Sequence, residues 1–151
     1  MNTLKEGDKV SDFSVPDQDG NMVNLSDYSG KKLIVFFYPR ANTPGCTAEA
    51  CNLRDNYAEL KAAGYELLGV SEDNQKKQAN FRNKFDFPFP LLADEDHLVI
   101  DAFGVWGPKK FMGKEYDGLH RTTFVIDENG TVERVISKVK TKDHAAQLLS
   151  F

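Results

Sequence analysis

Cysteine occurs twice, histidine three times and tryptophan once in this chain of 151 residues. The histidines, His97, His120 and His144, are scattered, and each reads as a surface or turn residue. No apolar run approaches the ~20 residues of a membrane-spanning helix. The opening MNTLKEGDKV instead carries Lys5, Glu6, Asp8 and Lys9, so neither a signal peptide nor a membrane anchor is expected there. A basic excess is also missing. The formal net charge of -4 offers no attraction for phosphate backbones or anionic lipid, which argues against nucleic acid and membrane as partners. Glycines stand singly or in turns, without a phosphate-cradling loop or a dinucleotide fingerprint. With no repeat, low-complexity tract or long flexible linker, residues 1–151 are expected to form a single domain of a soluble, cytoplasmic protein.

What the chain does contain is 40% hydrophobic residues, eleven of them phenylalanine. A chain of this length buries roughly 70% of its unfolded surface and needs no disulfide staple. The stretch PDQDGNMVNLSDYSGKK, Pro16 to Lys32, sets Met22, Val23 and Leu25 among turn-forming residues and reads as a hairpin with loops. Leu33 to Tyr38 is continuously apolar, β-branched and aromatic, as in a central strand covered on both faces, and Pro39 ends it. A helical pattern runs from the cysteines to Gly64. There follow YELLGVS as strand, NQKKQANFRNKF as helix, PLLA as a short strand, HLVIDAFG as a short helix, TTFVID and VERVIS as a hairpin, and KDHAAQLLSF as a closing helix. This order predicts an α/β sandwich with parallel middle strands and an antiparallel last pair, the order of a thioredoxin-like fold: a mixed central β-sheet flanked by helices, with an N-terminal β-hairpin.

Both cysteines lie in TPGCTAEAC, Thr43 to Cys51. Thr43 followed by Pro44 reads as a helix start, with the threonine oxygen capping free N–H groups and proline at the first helical position. Cys46 then falls in the first turn, where the positive end of the helix dipole favours a thiolate. Cys46, Ala50, Leu53, Tyr57 and Leu60 share one stripe facing the sheet, while Cys51 lies about 140° around the helix. In an intact helix the two Cα atoms would be roughly 8.6 Å apart, too far for a disulfide without unwinding.

Three readings of the pair remain open. The cysteines are inert buried residues; or half of a zinc site, which needs two further ligands; or a redox pair. The spacing is not the Cys-X-X-Cys of dithiol exchange, so the redox reading is a nucleophilic Cys46 with Cys51 as its resolving partner.

The segment FYPRANTPGCTAEACNLRD resembles the active-site segment of peroxiredoxins, with Pro39, Thr43 and Cys46 filling Pro-X-X-X-Thr-X-X-Cys. The four-residue gap before Cys51 and the stretch FGVWGPKKFMGKEYDGLHRTTFVIDENG, with Arg121, are similar to the bacterioferritin-comigratory (Q) class, and the likeness extends over nearly the whole chain. One departure is Ala41, where many relatives carry an acidic residue; it bears on local charge near the site, not on the reaction.

The resemblance implies a thiol peroxidase that reduces hydrogen peroxide and organic hydroperoxides without metal or prosthetic group. Cys46 would become a sulfenic acid, Cys51 would resolve it as an intramolecular disulfide, and a thioredoxin-like reductant would restore both thiols. Thr43, Arg121 and the backbone N–H groups of Gly45 and Cys46 would bind the peroxide, Pro39 would shield the sulfur, and Glu49 would hold the arginine. A monomer or weak dimer is expected. The competing reading is a non-enzymatic peroxide sensor or redox-switched holdase. Trp106, Phe111, Phe81, Phe85, Phe87 and Phe89 read as core or site wall.

Overall fold

The continuous apolar run is the middle of the sheet. In the computed structural model, which describes residues 1–150, β1 (Ser14–Pro16) and β2 (Met22–Asn24) form the N-terminal hairpin and lead into a 3-10 turn, Leu25–Tyr28. Next come β3 (Lys32–Phe37), α1 (Pro44–Asp55), α2 (Tyr57–Ala62), β4 (Tyr65–Ser71), α3 (Gln75–Phe85), β5 (Leu91–Ala93) and α4 (Leu98–Phe103). The chain finishes with β6 (Trp106–Phe111), β7 (Lys114–Leu119), β8 (Thr122–Ile126), β9 (Val132–Ile136) and α5 (His144–Leu149). Phe151, the last residue of the expected closing helix, lies outside the described residues.

The main sheet has the order β5-β4-β3-β8-β9. β3, β4 and β5 run parallel, while β8 is antiparallel to β3 and β9 to β8, as the order of elements requires. Successive side chains of β3 alternate between faces. Leu33, Val35 and Phe37 join the cluster under α4 and the N-terminal hairpin, and Ile34, Phe36 and Tyr38 join the one under α1, α2, α3 and α5. Because helices or loops cover both faces, every residue from Leu33 to Tyr38 is buried, and each large side chain contributes about 1.5–3 kcal/mol by burial.

Two features depart from the expected pattern. The helical stretch after the cysteines runs to Ala62, close to the expected end, but is interrupted at Asn56, whose side-chain amide donates to the Asn52 carbonyl at 2.9 Å and competes with the backbone ladder. Leu60 is nevertheless buried on the expected face. The second feature is a separate antiparallel hairpin, β6–β7, closed by Met112 and Gly113 at φ 51° and 80°. Both turn residues are left-handed, as a two-residue turn matched to strand twist requires. Its sequence signal is weak because Met replaces the usual Asn or Asp, and the strands expose polar residues on both sides.

Candidate active site

The site lies where β3 ends and α1 begins. Pro39 lacks a ladder donor, and Asn42, at φ 64°, turns the chain so that α1 starts at Pro44. The turn is held by the Ala41 N–H, which donates to the Asp73 carboxylate at 2.7 Å; the Ser71 hydroxyl donates to the same oxygen at 2.7 Å. Ala41 itself is buried.

Thr43 occupies the N-cap position, but its hydroxyl does not cap the helix. It donates backward to the Arg40 carbonyl at 2.7 Å, correcting the expectation that its oxygen would accept helix N–H groups. The first amide of the turn to find an acceptor is that of Thr47, on the Thr43 carbonyl at 2.8 Å. The Gly45 and Cys46 N–H groups lie ahead of it in the first turn, where a helix supplies no acceptor of its own.

Cys46 is 2% exposed, on the face of α1 that packs on the sheet, and Cys51 is partly buried on another; both are free thiols in one unbroken helix. Arg121, the residue before β8, reaches the sulfur from across the sheet. Its Nη2 lies 3.3 Å from Cys46 Sγ, and its Nη1 donates to Glu49 Oε1 at 2.6 Å. Gly45 leaves room beside it, since a Cβ there would stand 3.2 Å from Arg121 Nη2 and the guanidinium would have to give by a few tenths of an ångström. Burial pulls the arginine's pKa down, but the Glu49 carboxylate and the Cys46 sulfur more than offset it and the net direction is up. Glu49 has no solvent exposure; burial raises its pKa to about 7 against the opposing pull of Arg121. Burial likewise pushes the Cys51 thiol up.

Pro39, Thr43, Cys46 and Arg121 line one cavity of about 780 Å³, walled on the far side by Trp106, Phe111 and Tyr116 of the β6–β7 hairpin. Phe81, Phe85, Phe87 and Phe89 instead pack against one another, stacked or edge to face, in and against the core. The structure thus brings Pro39, Thr43, Gly45, Cys46, Glu49 and Arg121 together and holds Cys51 apart. No group of three metal-ligating side chains occurs among the described residues.

Two residues join the site with little signal in the sequence. Lys109 lines the cavity, donates to the Leu119 carbonyl at 2.8 Å, and is lowered in pKa by burial and by Arg121. Its motif, one of two adjacent lysines, resembles an ordinary solvated pair. His144 is the larger surprise. It is fully buried, with Nε2 3.6 Å from Glu49 Oε2, whereas the surface or turn reading describes the partly exposed His97 and His120. A histidine on the apolar side of α5, next to Ala145 and four residues before Leu148, was the only available hint.

A thioredoxin-like sandwich with a cysteine in the first helical turn, under an arginine held by a buried carboxylate, defines a class of thiol enzymes. The family model described as AhpC/TSA matches residues 6–135, and the chain belongs to that family. It is 52% identical over 151 residues to Peroxiredoxin Bcp of Escherichia coli, covering 100% of this chain and 97% of that one. Of solved structures, Peroxidoxin BcpB from Mycobacterium tuberculosis superimposes with a TM-score of 0.86 at 40% identity, covering 97% of this chain and 95% of that one. A Xanthomonas campestris bacterioferritin comigratory protein, solved as trapped intermediate/ligand complexes concerned with alkyl peroxide reduction, matches with a TM-score of 0.86 at 35% identity over 91% of this chain and 88% of that one.

Proposed function

We propose that this chain is a peroxiredoxin that reduces hydrogen peroxide and organic hydroperoxides through Cys46, with Cys51 as resolving thiol and a thioredoxin-like dithiol as reductant. The observation that carries this reading is the Arg121 guanidinium, anchored on Glu49, lying against the Cys46 sulfur in the first turn of α1.

The Cys46 thiolate attacks one peroxide oxygen; an S–O bond forms as the O–O bond breaks, and the departing oxygen leaves as hydroxide or alkoxide and takes a proton. Ionisation alone cannot supply the rate. An ordinary thiol with a pKa of about 8.5 is already ~3% ionised at pH 7, so complete ionisation offers at most about 30-fold. Enzymes typically lower barriers by about 8 kcal/mol or more. The remainder comes from Arg121, the Thr43 oxygen and the Gly45 and Cys46 N–H groups, which align the peroxide and stabilise charge on the departing oxygen. Thr43 suits this role because its proton is committed to Arg40, which leaves its lone pairs to accept from the peroxide O–H. Trp106, Phe111 and Tyr116 would accept the organic part of an alkyl hydroperoxide.

The Cys51 sulfur then attacks the sulfenic acid, expelling water and forming the disulfide. With both residues in α1, about 8.6 Å apart by helix geometry, the first turns must unwind. Since both sulfurs belong to one helix, a monomer completes the cycle. The test is turnover: peroxide consumption with recycled thioredoxin, and a Cys46–Cys51 disulfide by non-reducing peptide mapping after one equivalent of peroxide. Stoichiometric oxidation without turnover would replace this reading with the non-enzymatic sensor.

A further inference from the structure

Glu49 and His144 face each other across the contact between α1 and α5, both fully buried. The hydrogens around the imidazole follow from its neighbours. Gln147 Nε2 donates to the Lys138 carbonyl at 3.0 Å, and Gln147 Oε1 accepts the Lys140 N–H at 2.9 Å, which fixes the amide orientation. His144 Nδ1, 2.8 Å from that Oε1, therefore carries a hydrogen. In the neutral ring Nε2 then holds a lone pair, which the Thr123 hydroxyl meets at 2.8 Å. Glu49 Oε2 has no hydrogen-bond partner, and Nε2 stands 3.6 Å from it. A carboxylate and a neutral imidazole would thus oppose two lone-pair atoms in the buried contact between α1 and α5, an arrangement in which neither atom compensates the charge on the oxygen. One proton on either atom makes the contact attractive.

We propose that Glu49 and His144 carry one titratable proton as a pair, on Oε2 or on Nε2, and that this proton leaves the pair without net charge so that Arg121 presents its full positive charge to Cys46 and to the oxygen leaving it. The proposal rests on reading Cys46 as the peroxide-attacking sulfur. His144 touches no reacting atom; it acts through Glu49 and Arg121 and is a positioning residue. The charged and titratable groups around the pair are Arg121 before β8, Cys46 on α1 and Arg134 on β9. Burial, followed by the fields of the two arginines, pushes His144 down, while burial raises Glu49 to about 7. Both directions favour the carboxyl over the imidazole as the place of the proton. When it is lost to solvent, a full carboxylate 2.6 Å from Nη1 competes with the reaction centre for the guanidinium charge.

Two measurements test this. The first is carbon and nitrogen NMR of the reduced wild-type protein, labelled at Glu and His. The expected result is a Glu49 carboxyl that titrates near pH 7, with the His144 ring shifts moving at the same midpoint and the ring remaining Nδ1-protonated. A Glu49 titration in the ordinary range of about 4.3, or an Nε2-protonated neutral ring, overturns the proposal. The second is the rate constant for oxidation by hydrogen peroxide against pH, in the wild type, Glu49→Gln and His144→Gln. The ratio of wild type to Glu49→Gln is expected to fall on the order of tenfold as pH rises through neutrality, with the midpoint displaced in His144→Gln. A flat ratio, or an undisplaced midpoint, overturns it. If the wild type is not oxidised by peroxide, the enzyme reading falls, while the NMR titration still decides where the proton lies.

Discussion

The Arg121 guanidinium lies 3.3 Å from the Cys46 sulfur although 75 positions separate them in the chain. Its other amino group is anchored on Glu49, so the cation is aimed before any peroxide arrives. Arg121→Ala is expected to slow Cys46 oxidation by about 10²–10³-fold, beyond the roughly 30-fold that ionisation can supply. Arg121→Lys should recover only part of this, because one ammonium cannot span both Glu49 and Cys46. Stopped-flow fluorescence of the single tryptophan, Trp106, in the cavity wall provides the measurement. A loss smaller than 30-fold would remove Arg121 from the transition state.

Cys46→Ser should abolish peroxide reduction. Cys51→Ser should retain one oxidation event per chain, seen by intact mass as a sulfenic acid, and lose recycling by thioredoxin. Full turnover in Cys46→Ser would show that another group is the nucleophile.

Asn52, adjacent to Cys51, ties α1 to the start of α5: its Oδ1 accepts the Ala145 N–H at 2.8 Å and its Nδ2 donates to the Lys142 carbonyl at 3.1 Å. Any unwinding that reaches this turn must break both bonds. Losing them is worth about 1–2 kcal/mol, so Asn52→Ala should speed disulfide formation by roughly 5- to 30-fold and leave the first oxidation nearly unchanged. The two phases of a rapid-mixing trace separate these effects, and an unaltered second phase would place the unwinding boundary before residue 52.

Gly45→Ala should move stability and activity in opposite directions. Alanine is the better helix former by up to ~1 kcal/mol, yet its Cβ would stand 3.2 Å from Arg121 Nη2 and push the guanidinium off the sulfur. The expected result is an equal or higher melting temperature with oxidation slowed on the order of tenfold. An undiminished rate would show that the arginine accommodates the methyl group.

Stability against pH carries a second signature of the buried pair. The folded pKa of Glu49, about 7, lies above its ordinary 4.5, so the unfolded chain releases this proton first and stability falls as pH rises across that interval. His144 is displaced downward from 6.5, so its contribution has the opposite sign and stability falls as pH drops below 6.5. In the wild type the two slopes partly cancel. Glu49→Gln removes the first, and denaturant unfolding of that variant should show stability rising as pH approaches 6.5 from below. A profile parallel to that of the wild type would mean that Glu49 is not raised by burial.

Local chemistry explains what was readable early. Leu33 to Tyr38 suited a covered strand, because six consecutive apolar, β-branched and aromatic side chains alternate to both faces of a buried sheet. Thr43-Pro44 announced a helix start, and the stripe through Cys46, Ala50, Leu53 and Leu60 announced which side would be buried. Pro39, Thr43, Cys46, Glu49 and Arg121 were legible as a group through the resemblance, not through spacing alone. Thr43 was misread in one respect: its hydroxyl has a choice between forward amides and the carbonyl behind it, and the turn at Asn42 brings Arg40 within reach.

The amino-acid sequence by itself determined the order of strands and helices outside the β6–β7 hairpin, the position of Cys46 in the first turn of α1 and the separation of Cys51 from it, since periodicity and helix rise act between near neighbours. Only the tertiary structure decided that Arg121 meets Cys46, that the β6–β7 hairpin walls the cavity, and that His144 lies against Glu49. Those contacts join segments that one-dimensional patterns treat independently, and their energies depend on desolvation, which exists only after the sheet and α5 have closed over the site.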